Sequence, residues 1–223
     1  MKALWSYLGP VSLLALCAPL AHAQIAADVA VGFGTAHASA NSGGIDNANS
    51  VNAFGPCTPG TGDTDCQTLP KLGGLFMGFS GDLMLTKRYG FGGDVSFQPS
   101  RSDYGPLQSR QVFYDFDGIY APLSEKRFVV QLKGGIGGAR TSFIIPSSEC
   151  VGTAVCSTQN VPVGNSNHFQ VNAGVDVQLY VTSHVFIRPE FDYHYVVGLT
   201  DQFGTKSVVQ GMVSVGYSFG SRD

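Results

Sequence analysis

The chain has 223 residues, with 13 Lys and Arg against 16 Asp and Glu, a net charge of −3 that gives no electrostatic case for nucleic acid binding. No stretch of about 18 uninterrupted apolar residues follows the N-terminal segment, which excludes a helical membrane protein. Charge is sparse at 13% and Gly is frequent at 29 residues, a middling balance that suits elements with one apolar and one polar face.

Residues 1–23 read as a cleavable export signal. Lys2 supplies the positive start, Val11 to Leu16 the apolar stretch, and Ala21-His22-Ala23 a small-x-small cleavage site. Pro10 and Pro19 interrupt the run, which is too short to span a bilayer as a helix. Cys17 raises a lipoprotein reading, but bulky Leu16 stands where a small residue belongs. The mature chain, residues 24–223, then begins near Gln24 and suffices for one domain.

Side-chain alternation predicts eight strands in the mature chain. A strand turns successive side chains to opposite faces, so apolar residues at every second position mark a face in contact with oil. The first strand runs Ile25–Ala38 with Val29, Val31 and Phe33 on its apolar face. Leu72–Leu85 shows Leu75, Phe79 and Leu83, Tyr89–Gln98 shows Phe91, Val95 and Phe97, and Arg110–Tyr120 shows Val112, Tyr114, Phe116 and Tyr120. Arg127–Arg140 shows Phe128, Val130, Leu132 and Ile136. The cleanest alternation follows, from Phe169 to Val181, with Val171, Ala173, Val175, Val177 and Leu179 on the apolar parity. Val185–Val197 and Ser207–Phe219 complete the set. Phe169–Val181 exceeds the 9–11 residues that a tilted strand needs to cross a bilayer, and the pattern recurs along the chain. A soluble sandwich would repeat the alternation but not the length and recurrence together.

Connections alternate between short and long. Thr86–Arg88, Pro122–Lys126 and Thr182–His184 are short; Ser39–Lys71, Pro99–Ser109, Thr141–Asn167 and Gly198–Lys206 are long. Short turns on one rim and long loops on the other are the layout of an outer-membrane barrel. Folding about Lys87 sets Leu83 opposite Phe91, and folding about Ser124 sets Tyr120 opposite Phe128 outside and Asp115 opposite Lys133 inside. Aromatics gather at two levels: Phe91, Tyr120, Phe128, Tyr217 and Phe219 near the short turns, and Phe33, Phe97, Phe169, Tyr193 and Tyr195 near the long loops. Pro189 falls on an outward position of the seventh strand, where a local bulge or a lost ladder bond is expected. The fold class is thus all-β: an eight-stranded antiparallel up-and-down transmembrane β-barrel.

Four cysteines remain after cleavage, Cys57, Cys66, Cys150 and Cys156, in two close pairs within long loops. An oxidising compartment suits disulfides, and the sequence-local bridges Cys57–Cys66 and Cys150–Cys156 are favoured among three connectivities. Neither spacing suits a metal site, and no cofactor is expected.

The inward parity collects Asp82, Asp94, Asp115, Asp117, Lys133, Asp176, Arg188, Glu190, Asp192 and His194. Only Lys133 and Arg188 are permanently basic, so the carboxylates cannot all pair with cations. Side chains nearly fill an eight-stranded barrel, which favours a polar plug over the alternative, a narrow cation-preferring channel. Catalysis finds little support. No outward-facing Ser stands two residues from a His, as a lipid-modifying barrel enzyme of the deacylase kind would need, and Gly134-Gly135 and Gly137-Gly138 lie in a strand rather than a phosphate loop.

The whole mature chain resembles the small eight-stranded outer-membrane barrels related to OmpA and OmpX. The resemblance is carried by Val185-Phe-Ile-Arg-Pro-Glu-Phe-Asp-Tyr-His-Tyr, by Lys133-Gly-Gly-Ile-Gly-Gly, and by the closing Val213-Ser-Val-Gly-Tyr-Ser-Phe. It implies residence in the bacterial outer membrane as a monomer, among outer-membrane lipids and lipopolysaccharide. It also implies a terminal strand, with Tyr217 and Phe219, read by the barrel-assembly machinery. Two departures are evident. Gly220-Ser-Arg-Asp follows Phe219 where relatives commonly end on an aromatic residue, and no peptidoglycan-binding domain follows, so no tether to the wall is expected. The expected role is structural or surface-interacting, with an extracellular ligand or surface met by the long loops and no enzymatic activity. A soluble periplasmic lipocalin-like barrel is a further alternative; it requires polar outward faces.

Overall fold

A computed structural model describes residues 25–38, 72–104, 107–151 and 155–220. Among the described residues nine strands form: β1 (Ala26–His37), β2 (Leu75–Met84), β3 (Tyr89–Phe97), β4 (Ser102–Tyr104), β5 (Leu107–Ser124), β6 (Phe128–Val151), β7 (Val155–Tyr180), β8 (Val185–Val196) and β9 (Ser207–Phe219). One short helix, α1 (Thr200–Phe203), lies between β8 and β9. The sheet order is β3-β2-β1-β9-β8-β7-β6-β5-β4, and β3 also pairs with β5. That pairing closes eight strands into a ring, with β4 hung on the outer end of β5. Every neighbouring pair is antiparallel, including β1 with β9. Closure leaves no unpaired edge in the wall, which a structure surrounded by lipid requires.

Among the described residues no helix is long and apolar enough to cross a membrane. Alternation decides which face meets what. Outward positions carry large apolar side chains that remain exposed, Phe116 at 63% and Val213 at 55% among them. A soluble protein would not leave such a continuous belt in water. At the short-turn rim the girdle is visible as contacts: Tyr89 and Tyr120 have ring centroids 5.2 Å apart, and Tyr217 and Phe219 4.8 Å.

Three expectations about the strands require correction. Thr141–Asn167 is not a free loop, since β6 and β7 continue as one long hairpin through it, with Phe143 opposite Gly164 and a bulge between Phe143 and Ile144. The β5–β6 register is displaced: Tyr120 faces Leu132 rather than Phe128, and Asp115 faces Gly137 rather than Lys133. A bulge between Tyr120 and Leu123 absorbs Ala121-Pro122 into the strand and moves the turn to residues 125–127. The shift is even, so inward and outward faces survive it. Pro99–Ser109 likewise contains β4 and the start of β5. By contrast Leu83 does face Phe91, and Ser207–Phe219 forms over the expected span.

Pro189 produces no bulge. It pairs with Val213 of β9 in unbroken register. On its other side the β7–β8 ladder runs to Asp176–Glu190 and resumes in the same register at Leu179–Ile187. The proline costs local pairing and leaves the barrel geometry intact.

Candidate functional site

The interior is stacked in three layers along the barrel axis. At the short-turn end Ala26, Met84, Ile119, Ala121 and Val129 form a buried apolar floor, with Tyr180 packed against it. At the long-loop end Leu72, Phe76, Leu107, Phe113, Phe143, Val196 and Val208 form an apolar roof. The charged side chains lie between them. The inward parity is ionic only through the middle of the barrel; toward the long loops, hydrocarbon packs beside buried neutral polar side chains such as Ser109, Gln111 and Thr141.

All ten inward residues expected from alternation point into this middle layer. Lys133 and Arg188 are its hubs. The Lys133 ammonium lies 3.2 Å from Asp94, 3.2 Å from Glu190 and 3.8 Å from Asp176. Arg188 reaches Asp82 at 2.7 Å, Glu190 at 3.1 Å and Asp94 at 3.9 Å, and also donates to Ser80 Oγ. Both cations are almost fully buried, so these contacts act in a low-dielectric interior.

Two cations cannot neutralise all the carboxylates, and neutral amides complete the set. Gln170 donates to Asp115 at 2.5 Å and Asn172 to Asp117 at 2.7 Å. Gln178 donates to Asp28 at 3.2 Å, and Gln131, with its amide oxygen and nitrogen exchanged, would donate to both Asp176 carboxylate oxygens at 3.2 Å. Asp28, on the inward parity of β1, is an acid absent from the expected network. Its position two residues before Ala30, alternating with Val29, was the available signal. His194 bonds Gln210 Oε1 through Nε2 at 3.2 Å, stacks on Phe113 and faces Asp115 at 3.7 Å. It joins the polar layer to the roof.

A cavity of about 20 Å³ lies in this layer, bounded by Asp94, Asp115, Asn172, Arg188, Glu190, Asp192 and His194 among others. That is room for about one water molecule. Among the described residues no group of three or more His, Cys, Asp or Glu is placed to hold a metal ion.

The roof is finished by α1, the central part of the predicted loop Gly198–Lys206. Gly198 and Gly204, at φ 85° and 70°, bracket it. These left-handed conformations let the chain dip into the barrel mouth and return. Leu199 and Phe203 point down into the roof, where Phe203 meets Tyr104 edge-on at 5.5 Å. Tyr104, on β4 outside the ring, donates its hydroxyl to the Gln202 carbonyl at 2.5 Å. Burial pushes its phenol up to about 12, which keeps the proton on the donor.

The terminal residues Tyr217 and Phe219 lie outward on β9, which pairs with β1 at Val29 and Ala27 respectively. Cys57 and Cys66 fall outside the described residues. Cys150 and Cys156 are register partners near the tip of the β6–β7 hairpin. The inward glycines of the fifth predicted strand have a steric cause. A Cβ on Gly135 or Gly137 would collide with the carbonyls of Phe116 and Tyr114.

No protein-family model matches the chain, and no curated protein matches it. Solved structures do. The chain is similar to Ail, the attachment invasion locus protein of Yersinia pestis, solved with the heparin analogue sucrose octasulfate: TM-score 0.51, 10% identity, over 88% of this chain and 99% of Ail. It is similar to the outer membrane protein OprG from Pseudomonas aeruginosa with TM-score 0.50 and 14% identity, over 90% of this chain and 98% of OprG. At these identities the likeness is one of fold, and the fold is that of the small outer-membrane β-barrels.

Proposed function

We propose that the chain is a monomeric barrel of the bacterial outer membrane with a structural and surface-interacting role, neither conducting nor enzymatic. The observation that carries this reading is the packed interior. Among the described residues, apolar clusters lie at both ends of an ionic layer whose cavity has room for about one water, which supports a plug rather than a wide aqueous path. What remains for interaction is the wall and the long-loop face.

Among the described residues the β6–β7 hairpin is the longest projection on that face. β6 leaves its partner β5 after Ile144, and β7 gains its partner β8 only at Gln170, so the hairpin stands beyond the ring. Loops and projections on a rigid scaffold are where recognition is carried. Ail, of the same fold, was solved with a heparin analogue. For the present chain the proposed partner is an extracellular ligand or surface met by this projection. Disulfides Cys57–Cys66 and Cys150–Cys156 would restrain the loops in the oxidising envelope.

Outer-membrane fractionation with a heat-modifiability gel shift tests residence and fold, and planar-bilayer recording tests closure. The expected result is a heat-shifted outer-membrane band with no steady conductance. Large, stable, cation-selective steps would instead establish the acidic lumen as a channel.

A further inference from the structure

The three short turns share a construction that their sequences do not advertise. Each ends on a basic or imidazole residue immediately before a strand: Arg88 before β3, Arg127 before β6 and His184 before β8. In each case the carbonyl of that residue accepts a bond from the next strand around the ring. Ala121 donates to Arg88 at 2.7 Å, Tyr180 to Arg127 at 3.0 Å, and Ser218 to His184 at 2.7 Å. The backbone of each turn is thereby fixed at an equivalent station on the rim.

Charge at these stations is one-sided. Lys87 precedes Arg88 and Lys126 precedes Arg127, all four exposed, and Glu125 is the only acid among the described residues of the three turns. Depth is set by the aromatic girdle: Arg88 adjoins exposed Tyr89, Arg127 adjoins Phe128, and the His184 ring stacks on Tyr217 at 5.5 Å. Interfacial aromatics lie at the headgroup level, and long basic side chains extend from there to the phosphates.

We infer that this rim is a binding surface for the phosphates of anionic phospholipids in the periplasmic leaflet. The inference rests on the outer-membrane reading, which orients the short turns toward the periplasm. Cell-wall carboxylates would meet the same charge. They lie beyond the girdle, however, whereas the basic residues adjoin it.

The test refolds the mature chain into nanodiscs of phosphatidylcholine containing a minority of phosphatidylglycerol, and measures which lipid remains bound after mild detergent extraction. The native protein is expected to retain phosphatidylglycerol preferentially. The variant K87Q/R88Q/K126Q/R127Q is expected to lose about tenfold or more of that preference, since each basic residue near an anionic surface contributes roughly fivefold. Raised salt on the native protein is expected to do the same by screening, and decides the matter alone where the variant does not fold.

Four results would overturn the inference: an inserted native protein without lipid preference, a preference that survives both variant and salt, competition by soluble glycerol phosphate, and retention on purified peptidoglycan through these four residues in place of lipid. A heat-shifted, inserted band reports the barrel separately from the headgroup measurement. Failure to insert removes the outer-membrane reading itself; insertion without preference removes only the rim.

Discussion

Arg188→Met offers the sharpest test of how the interior is held. Arg188 is 1% exposed and joins Asp82 at 2.7 Å and Glu190 at 3.1 Å. Methionine keeps most of the volume and removes the charge, leaving Asp82 buried without its closest cation. Glu190 keeps Lys133 at 3.2 Å, so most of the damage falls on Asp82. Breaking a buried pair on one side costs about 3–5 kcal/mol, because the remaining charge stays desolvated. Asp82→Asn alone removes the other partner, and the double variant removes both. The double variant should therefore be less destabilised than the sum of the singles by about 1–3 kcal/mol. Asp94 makes a longer contact with Arg188, 3.9 Å, and its side chain is 20% exposed, so Asp94→Asn should couple more weakly. Urea unfolding of the barrel refolded in lipid vesicles, followed by the gel shift, measures all four. A loss below about 1 kcal/mol for Arg188→Met, or strict additivity with Asp82→Asn, would refute the dry ionic layer and imply free access of water.

Three further outcomes are expected. Gly135→Ala should destabilise by about 1–3 kcal/mol because its Cβ meets the Phe116 carbonyl, whereas adjacent outward Gly134→Ala, with its nearest contact at 3.9 Å, should be neutral or stabilising by about 0.4–1 kcal/mol in the same unfolding assay. Phe203→Ala should cost about 3–5 kcal/mol at the roof yet leave planar bilayers without steady conductance, because the ionic layer and floor persist. Peptide mapping without reductant should recover Cys150 joined to Cys156, and C150S/C156S should leave the heat-shifted band unchanged, since those residues face each other beyond the ring.

Face assignment was legible because a strand has a period of two and lipid accepts no polar face. Parity alone therefore puts Asp94, Lys133 and Arg188 on the inward face, where the structure has them. Parity also explains the blind spot at the second hairpin, since a slip of four residues preserves every face and only the Ala121-Pro122 bulge reveals it. The outer part of the β6–β7 hairpin was hidden by composition. Pro146, Pro162 and the Gly, Ser and Asn residues around them read as loop, and its strands arise from pairing with each other rather than from one buried face. The roof was hidden differently. Phe76, Phe113 and Val196 occupy the parity that is polar elsewhere, and α1 is too short for a periodic signal. Leu199 and Phe203, four residues apart between Gly198 and Gly204, were the trace it left.

Packing the charges between two apolar clusters insulates them from the medium's ions. Salt that weakens exposed ion pairs should therefore leave the Arg188–Asp82 pair, both side chains 1% exposed, almost untouched, so the barrel's internal adhesion is set by the chain and not by the solution around it.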